Sequence, residues 1–306
     1  MSLTVRPYNN LNDLEAMQTV LVEGRRKAGQ AYYVHPGDLS WWLFYTETDL
    51  QPEHICLWEN DSRLAGWSLL SASGRTFDVF VRPELHGRSL EAKVLLWTEE
   101  TQAARLKRSQ GKDLSIMWVS EKDAERRHWL EMRGFHPNRD GMLVMHRSIN
   151  EDLPEVRLPD GFSVRPVAGE GDLCQRARAS FGAFGSSKSF EDYCRRMQQF
   201  MHSPVYRPDL DLVTVAPDGR YASFCILWID PVNREGYFEP VGTHPDFQDQ
   251  GLGKAVLTAG LQHLRHLGMT QASLCVEEEN FKAVHLYEHL GFQKMNRLLT
   301  YEKKLN

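Results

Sequence analysis

Residues 237–254, YFEPVGTHPDFQDQGLGK, decide how this chain is read. A β-prone run, Tyr237 to Thr243, meets the breaker His244-Pro245, and then Gln248, Gly251 and Gly253 open an amphipathic helical stretch rich in Leu, Val and Ala. A strand, a glycine turn and a helix in that order leave unpaired backbone N–H groups at a helix N-terminus, where the dipole also favours negative charge. Glycines let the backbone approach a bulky anion such as a pyrophosphate. The stretch holds no G-x-G-x-x-G and no Gly-Lys-Ser/Thr, so neither a dinucleotide fingerprint nor a P-loop fits.

Outward from this stretch the chain repeats itself. Thr4-Val5-Arg6-Pro7 returns as Ser163-Val164-Arg165-Pro166, each before a helical stretch, about Asn12 to Ala28 and about Asp172 to Phe184. Asp61 and Asp218 sit in matching hairpin turns, Val81-Arg82-Pro83 matches Thr243-His244-Pro245, and Gly134-Phe135 matches Gly291-Phe292. The separations stay between 157 and 162 residues (Gly134 to Gly291, Pro83 to Pro245). Such constancy points to a duplicated unit with small loop changes. The joint falls in the polar, proline-bearing Ser148 to Gly161, which gives units at 1–150 and 151–306. Each unit reads as strand, helices, a hairpin, a further strand, helix, strand, helix and a last strand. That order predicts an α+β (mixed α/β) class, with a mostly antiparallel mixed sheet flanked by helices in each unit.

Composition bounds the function. The chain has 306 residues, 42% hydrophobic and 25% charged, with Lys+Arg 36 against Asp+Glu 41 and a net charge of -5. Two ordinary cores are affordable at this length, and nucleic acid is not an expected partner. No apolar run approaches the roughly 20 residues of a membrane span and the first residues lack signal-peptide character, so no membrane is expected and the location reads as cytoplasmic. Five cysteines without a C-x-x-C pair read as free thiols, and the scattered histidines have no ligand spacing, so no metal is expected.

Gln248-Asp249-Gln250-Gly251-Leu252-Gly253, followed by Asn280, Ala283, Leu286-Tyr287-Glu288 and Gly291-Phe292, resembles the paired signatures of the GCN5-related N-acetyltransferase (GNAT) superfamily over roughly residues 237–292. The tandem arrangement is similar to its double-domain members, the mycothiol synthase group among them. The resemblance implies two tandem acyl-CoA N-acyltransferase domains and acetyl-CoA as co-substrate. It implies that Gln248, Gln250, Gly251, Leu252, Gly253 and Lys254 form the pyrophosphate turn and that Val241 and Thr243 line the pantetheine arm. Asn280 and Ala283 fall on the second motif. Tyr287 matches the tyrosine that protonates the departing thiolate, a phenol being a weaker acid than the thiol it serves. Glu239 matches a position that carries a carboxylate in several members, as base or substrate anchor, while Tyr237 stands where other members place the base.

Acetyl transfer to an amine needs a proton acceptor, because an alkyl amine is protonated at pH 7. Glu235 and Tyr237 share the strand parity of Glu239, so all three are expected to face one cleft, with Glu235 and Tyr237 as substrate contacts. The base is then Glu239, Glu235 or an ordered water. The acceptor is a small amine or a peptide. An acyl-CoA sensor without turnover is the rival reading.

The first half serves as an internal control. At the matching offsets Gln248, Gly251 and Gly253 become His86, Ser89 and Glu91, Glu239 becomes Phe77, Asn280 becomes Asp123 and Tyr287 becomes Leu130. A glutamate in the turn opposes an anion in both charge and space, so the first unit is expected to be a degenerate copy whose surface walls the acceptor cleft.

Overall fold

The repeated V-R-P strand is built the same way twice. Arg6 crosses to Asp13 of the following helix (Nη2 to Oδ1, 2.7 Å), and Arg165 crosses to Asp172 (Nη1 to Oδ2, 2.6 Å). Each aspartate also accepts from a backbone N–H just before its helix, that of Asn9 or Ala168. The latch sets the angle at which strand gives way to helix, which is why both halves begin alike.

The computed structural model describes residues 3–29, 32–46, 52–150, 152–186 and 189–305. In the first half these form β1 (Leu3–Pro7), α1 (Leu11–Ala28), α2 (Pro36–Trp41), β2 (Ile55–Asn60), β3 (Arg63–Leu70), β4 (Thr76–Val81), α3 (Ser89–Arg108), β5 (Asp113–Ser120), α4 (Ala124–Met132) and β6 (His136–Ser148). The second half repeats the order with β7 (Ser163–Pro166), α5 (Leu173–Phe184), α6 (Phe190–Met201), β8 (Asp211–Val215), β9 (Tyr221–Asp230), β10 (Glu235–Thr243), α7 (Leu252–His266), β11 (Gln271–Glu277), α8 (Phe281–His289) and β12 (Gln293–Lys304). The expected mixed, mostly antiparallel α+β architecture is what the chain adopts, with parallel pairing at β4–β5 and β10–β11. Among the described residues no helix is long and apolar enough to cross a membrane.

Among the described residues twelve strands join one sheet, in the order β1-β2-β3-β4-β5-β12-β6-β11-β10-β9-β8-β7. The closing strands are exchanged. β12 lies against β5 of the first half, and β6 lies against β11 of the second. The exchange reaches the cores: Leu299 and Tyr301 of β12 pack among Val79, Leu95 and Leu130, while Leu143 and Met145 of β6 pack among Phe238, Leu257 and Leu274. Each half therefore completes the apolar interior of the other.

Helix starts follow local chemistry. Asn280 caps α8 by accepting from Ala283 N (3.2 Å), and Asp123 caps α4 by accepting from Arg126 N (3.0 Å). Ser189 accepts from Asp192 N at the start of α6, as the S-x-x-D pattern predicts. α7 differs. Its N-cap is Gly251, in the left-handed region at φ 76, and no side chain caps it. The opposite face of α7 is held by Val256, Leu257, Leu261 and Leu264, all fully buried. Burial stabilises each by about 1.5–3 kcal/mol, so the open helix end is fixed against the sheet.

Candidate active site

β10 and β11 pair in register from Glu235↔Gln271 only as far as Phe238↔Leu274, whereas β10 keeps its pairing with β9 to Thr243↔Ser223. Beyond Phe238 the edge of β10 that faces β11 is open. A bulge at Glu239-Pro240 marks the split, since Phe238 opposes Leu227 and the next paired residue, Val241, opposes Cys225. The Trp228 indole donates to the Glu239 carbonyl at 2.7 Å and holds the bulge in place. The result is a slot in the sheet whose free backbone groups on Val241 and Thr243 suit an extended amide chain.

The uncapped start of α7 lies at the outer end of this slot. A Cβ at Gly251 would meet nothing within 4 Å, so glycine is needed there for its backbone angle. At Gly253 a Cβ would come within 3.1 Å of Thr243 Oγ1, so the absent side chain keeps the slot open. The Gln248 side-chain amide reaches toward the Thr243 carbonyl and that of Gln250 toward the Asp246 carbonyl, both at 3.5 Å. Leu252 is buried and offers only its backbone. On the outer flank, a cleft of about 570 Å³ lined by Gln250, Gly251 and Lys254 also contains Arg157, so two cations stand near the turn. Backbone donors, positive dipole, cations and a missing side chain are together a fit for a pyrophosphate with a pantetheine arm.

At the inner end are Glu239 and Tyr287. Glu239 is half-buried, and burial together with the Asp38 carboxylate pushes its carboxyl up to about 8. Tyr287 is nearly buried in the core and packs edge-on against Phe292. Burial and then the Glu239 carboxylate raise its phenol, so it holds its proton at neutral pH. Tyr237, also buried, stacks on His35 with ring centroids 4.8 Å apart. Burial and then the neighbouring Asp38 carboxylate raise its phenol, and Cys275 packs in the same apolar cluster.

Glu235 does not join this group. Its carboxylate is 0% exposed and accepts from Arg25 Nη2 at 2.9 and 3.0 Å, from His146 at 3.0 Å and from Ser273. Burial opposes its ionisation, but the Arg25 charge and the His146 hydrogen bond outweigh burial and hold it well below the usual carboxylate range. The parity that aligned Glu235 with Glu239 does not survive the bulge, and an arginine 210 residues away claims the carboxylate.

Two side chains at this site had no signal in the motifs. Asp38 arrives from α2 of the first half, and burial pushes its carboxyl up to about 7. Cys275, on β11, faces Tyr237; burial and the neighbouring Asp38 carboxylate raise its thiol, which argues against a thiolate nucleophile.

The matching turn in the first half is filled. Glu91, at the position of Gly253, accepts from Gly87 N at 2.8 Å and from Arg126 Nε and Nη2 at 3.0 and 2.7 Å. Arg126, at the position of Ala283, donates to the Val79 carbonyl at 3.0 Å, beyond the point where β4 leaves β5. The pair occupies the space that Gly253 and Ala283 leave open in the second half. His86, Glu91 and Asp123 bring ligand-type atoms within 4.8 Å of one another, with the Arg126 guanidinium against both carboxylates. Strand register also revises one pairing of the halves: Phe77 opposes Leu70 as Phe238 opposes Leu227, so the counterpart of Glu239 is Asp78, hydrogen-bonded to Tyr33, and not Phe77.

Residues 173–292 match the acetyltransferase (GNAT) family. Mycothiol acetyltransferase from Streptomyces coelicolor is 31% identical over 214 residues, 69% of this chain and 64% of the relative. The protein of the same name from a Nocardioides species is 28% identical over 89% of this chain and 92% of its own. A tandem GNAT protein of the clavulanic acid biosynthesis pathway superposes with a TM-score of 0.70 at 14% identity, covering 99% of this chain and 98% of its own. A GCN5-related N-acetyltransferase from Sphaerobacter thermophilus gives 0.67 at 20% identity, with 99% and 95% covered. The chain is a tandem-domain member of the GNAT superfamily. Within this GNAT protein the residues of the second half, 237–292, carry the open slot, and the first half carries its filled counterpart.

Proposed function

We propose that this GNAT protein transfers the acetyl group of acetyl-CoA to a primary amine by direct attack, using the second half (151–306), and that the first half (1–150) is a non-catalytic copy. The observation that carries the reading is the coincidence of the split between β10 and β11, the uncapped α7 N-terminus at one end of it, and Glu239 with Tyr287 at the other. Backbone groups of Gln250 to Lys254 would bind the pyrophosphate and those of Val241 and Thr243 the pantetheine, with Gln248, Asn280 and Ala283 shaping the slot.

Glu239 accepts a proton from the incoming ammonium. A carboxyl near pH 8 is a better matched base for an amine than an ordinary one, at the cost of being mostly protonated at neutral pH. The neutral nitrogen attacks the thioester carbonyl, the C–N bond forms, the nitrogen loses its second proton to solvent and the C–S bond breaks. Tyr287 gives its phenolic proton to the departing thiolate and regains one from solvent. The products are the N-acetyl amine, coenzyme A and one released proton. Glu235 is not a candidate base here, because Arg25 holds it ionised and buried.

The deciding experiment is release of free thiol from acetyl-CoA across a panel of amines. The panel should include the amine precursor of mycothiol, because the relatives are called mycothiol acetyltransferases. Amine-dependent thiol release is expected. Binding of acetyl-CoA without release by any amine would instead favour a sensor, and absence of binding would remove the coenzyme assignment.

A further inference from the structure

The first half touches the catalytic cleft at one place with unusual closeness. The N-terminal turn of α2 packs on β9 and β10. Gly37 lies so tightly on Trp228 that a Cβ at position 37 would overlap the indole. That same indole holds the Glu239 carbonyl at 2.7 Å. Two residues earlier, at the N-cap, His35 stacks on Tyr237. One residue after Gly37, Asp38 is 4% exposed and accepts from His35 N at 2.7 Å in a capping box, and the nearby Tyr237 hydroxyl favours its ionised form. The capped turn is thus tied through His35 to Tyr237 and through Gly37 to the indole that holds the Glu239 carbonyl.

We propose that Asp38 is a positioning residue for the catalytic half: it caps the turn whose His35 stacks on Tyr237 and stands as a second carboxylate beside Glu239, so that the first half sets the pH at which Glu239 becomes a base. This rests on the acetyltransfer reading for its kinetic arm only. Like charges sharing a site oppose each other's ionisation, and a cationic acceptor entering between them relieves both. The charged and titratable groups around the pair are Arg25 of α1, His35 at the start of α2, Glu235 and Tyr237 of β10, Cys275 of β11 and Tyr287 of α8. Of these Arg25 is already neutralised by Glu235, and burial drives the His35 imidazole down to about 3, so it is neutral. Asp38 is therefore the group whose charge Glu239 meets. A decayed coenzyme site would then coexist with a retained electrostatic duty in the same half.

The test is Asp38→Asn, with Asp38→Glu as rescue and Tyr237→Phe as a second route that keeps the ring stack and removes the hydroxyl from Asp38. The acid limb of kcat/KM for the amine, at saturating acetyl-CoA, should move to lower pH by about one unit in Asp38→Asn. It should move in the same direction in Tyr237→Phe, where Asp38 ionises less readily, and return toward wild type in Asp38→Glu. Acetyl-CoA affinity should not change. A lowered rate with an unmoved limb would reduce Asp38 to a structural cap and overturn the proposal. Titration of the Glu239 carboxyl by difference infrared spectroscopy, with Glu239→Gln as the blank, reads the same shift without turnover. Absence of activity on every amine would sink the function while this arm still decides Asp38, and an unshifted Glu239 band in both variants would overturn it.

Discussion

Replacing Glu239 by glutamine should abolish activity and stabilise the protein, and the stabilisation should appear only as pH rises. A carboxyl that keeps its proton to about pH 8, where an unfolded chain releases it near 4.5, resists ionisation in the fold by roughly 5 kcal/mol at about 1.4 kcal/mol per pH unit. The residue is half-buried, and partial solvation reduces the figure to about 1–3 kcal/mol. The sign follows from proton binding: between about pH 4.5 and 8 the folded protein holds a proton that the unfolded chain has lost, so stability falls across that window and is level above it. Glutamine does not ionise. Glu239→Gln and wild type should therefore melt together near pH 4.5 and diverge until, above pH 8, the variant melts higher by about 2–10 °C. Over the same range kcat/KM should fall by about 10²–10⁴. Scanning calorimetry at pH 5 and pH 8.5 reads the divergence. A melting difference equal at both pH values, or a variant less stable at pH 8.5, would refute the assignment of a strained, protonated carboxyl at this position.

Tyr287→Phe should lower kcat by about 10–10³ with acetyl-CoA affinity intact, measured by steady-state kinetics and calorimetric titration; an unchanged kcat would reject the acid role. Gly253→Glu with Ala283→Arg rebuilds in the second half the plug seen at Glu91 and Arg126, and should leave a folded protein without a thermal shift on acetyl-CoA, where wild type at a hundredfold over Kd gains about 2.7 kcal/mol. Arg25→Met leaves Glu235 buried without its cation and should cost about 3–5 kcal/mol at pH 7 by denaturant unfolding; a second change, Glu235→Gln, should return part of that loss, and no return would count against the ion pair as the cause.

Where function could be read in the sequence, short-range chemistry wrote it. The V-R-P strands, the second-motif position of Asn280 and the glycine turn each act within one or two helical turns, and each lies where the sequence places it, while the aspartates that latch the two arginines emerge only in the fold. Acidic residues were harder. Glu235 and Glu239 are alike in type and parity, yet a bulge of one residue and an arginine on α1 send one to an ion pair and leave the other at the slot. Asp38 lies in the turn PGDL, a plain helix start, and acquires its place only because Gly37 lets that turn rest on Trp228 of the other half. The plug in the first half was half legible, since Glu91 showed in the turn while its partner Arg126 needed the fold to bring α4 against α3.

The exchange of β6 and β12 ties the fold of the first half, with its filled turn, to that of the second. β6 carries the apolar run Met142 to Met145 and β12 the pair Leu298-Leu299, so each can serve a buried position against β5 or β11 and neither sequence names its neighbour. In the observed order the second half borrows Leu143 and Met145 for its core and lends Leu299 and Tyr301 in return. Separating the halves would expose the facing edges of β5 and β11 together with those apolar positions, a hazard for aggregation. Residues 1–150 or 151–306 expressed alone should therefore be poorly soluble, while the two co-expressed should associate and recover acetyl-CoA binding. A soluble, coenzyme-binding 151–306 fragment would show that β6 and the α2 contact are dispensable, and would break the link drawn here between the shared sheet and the shared active site.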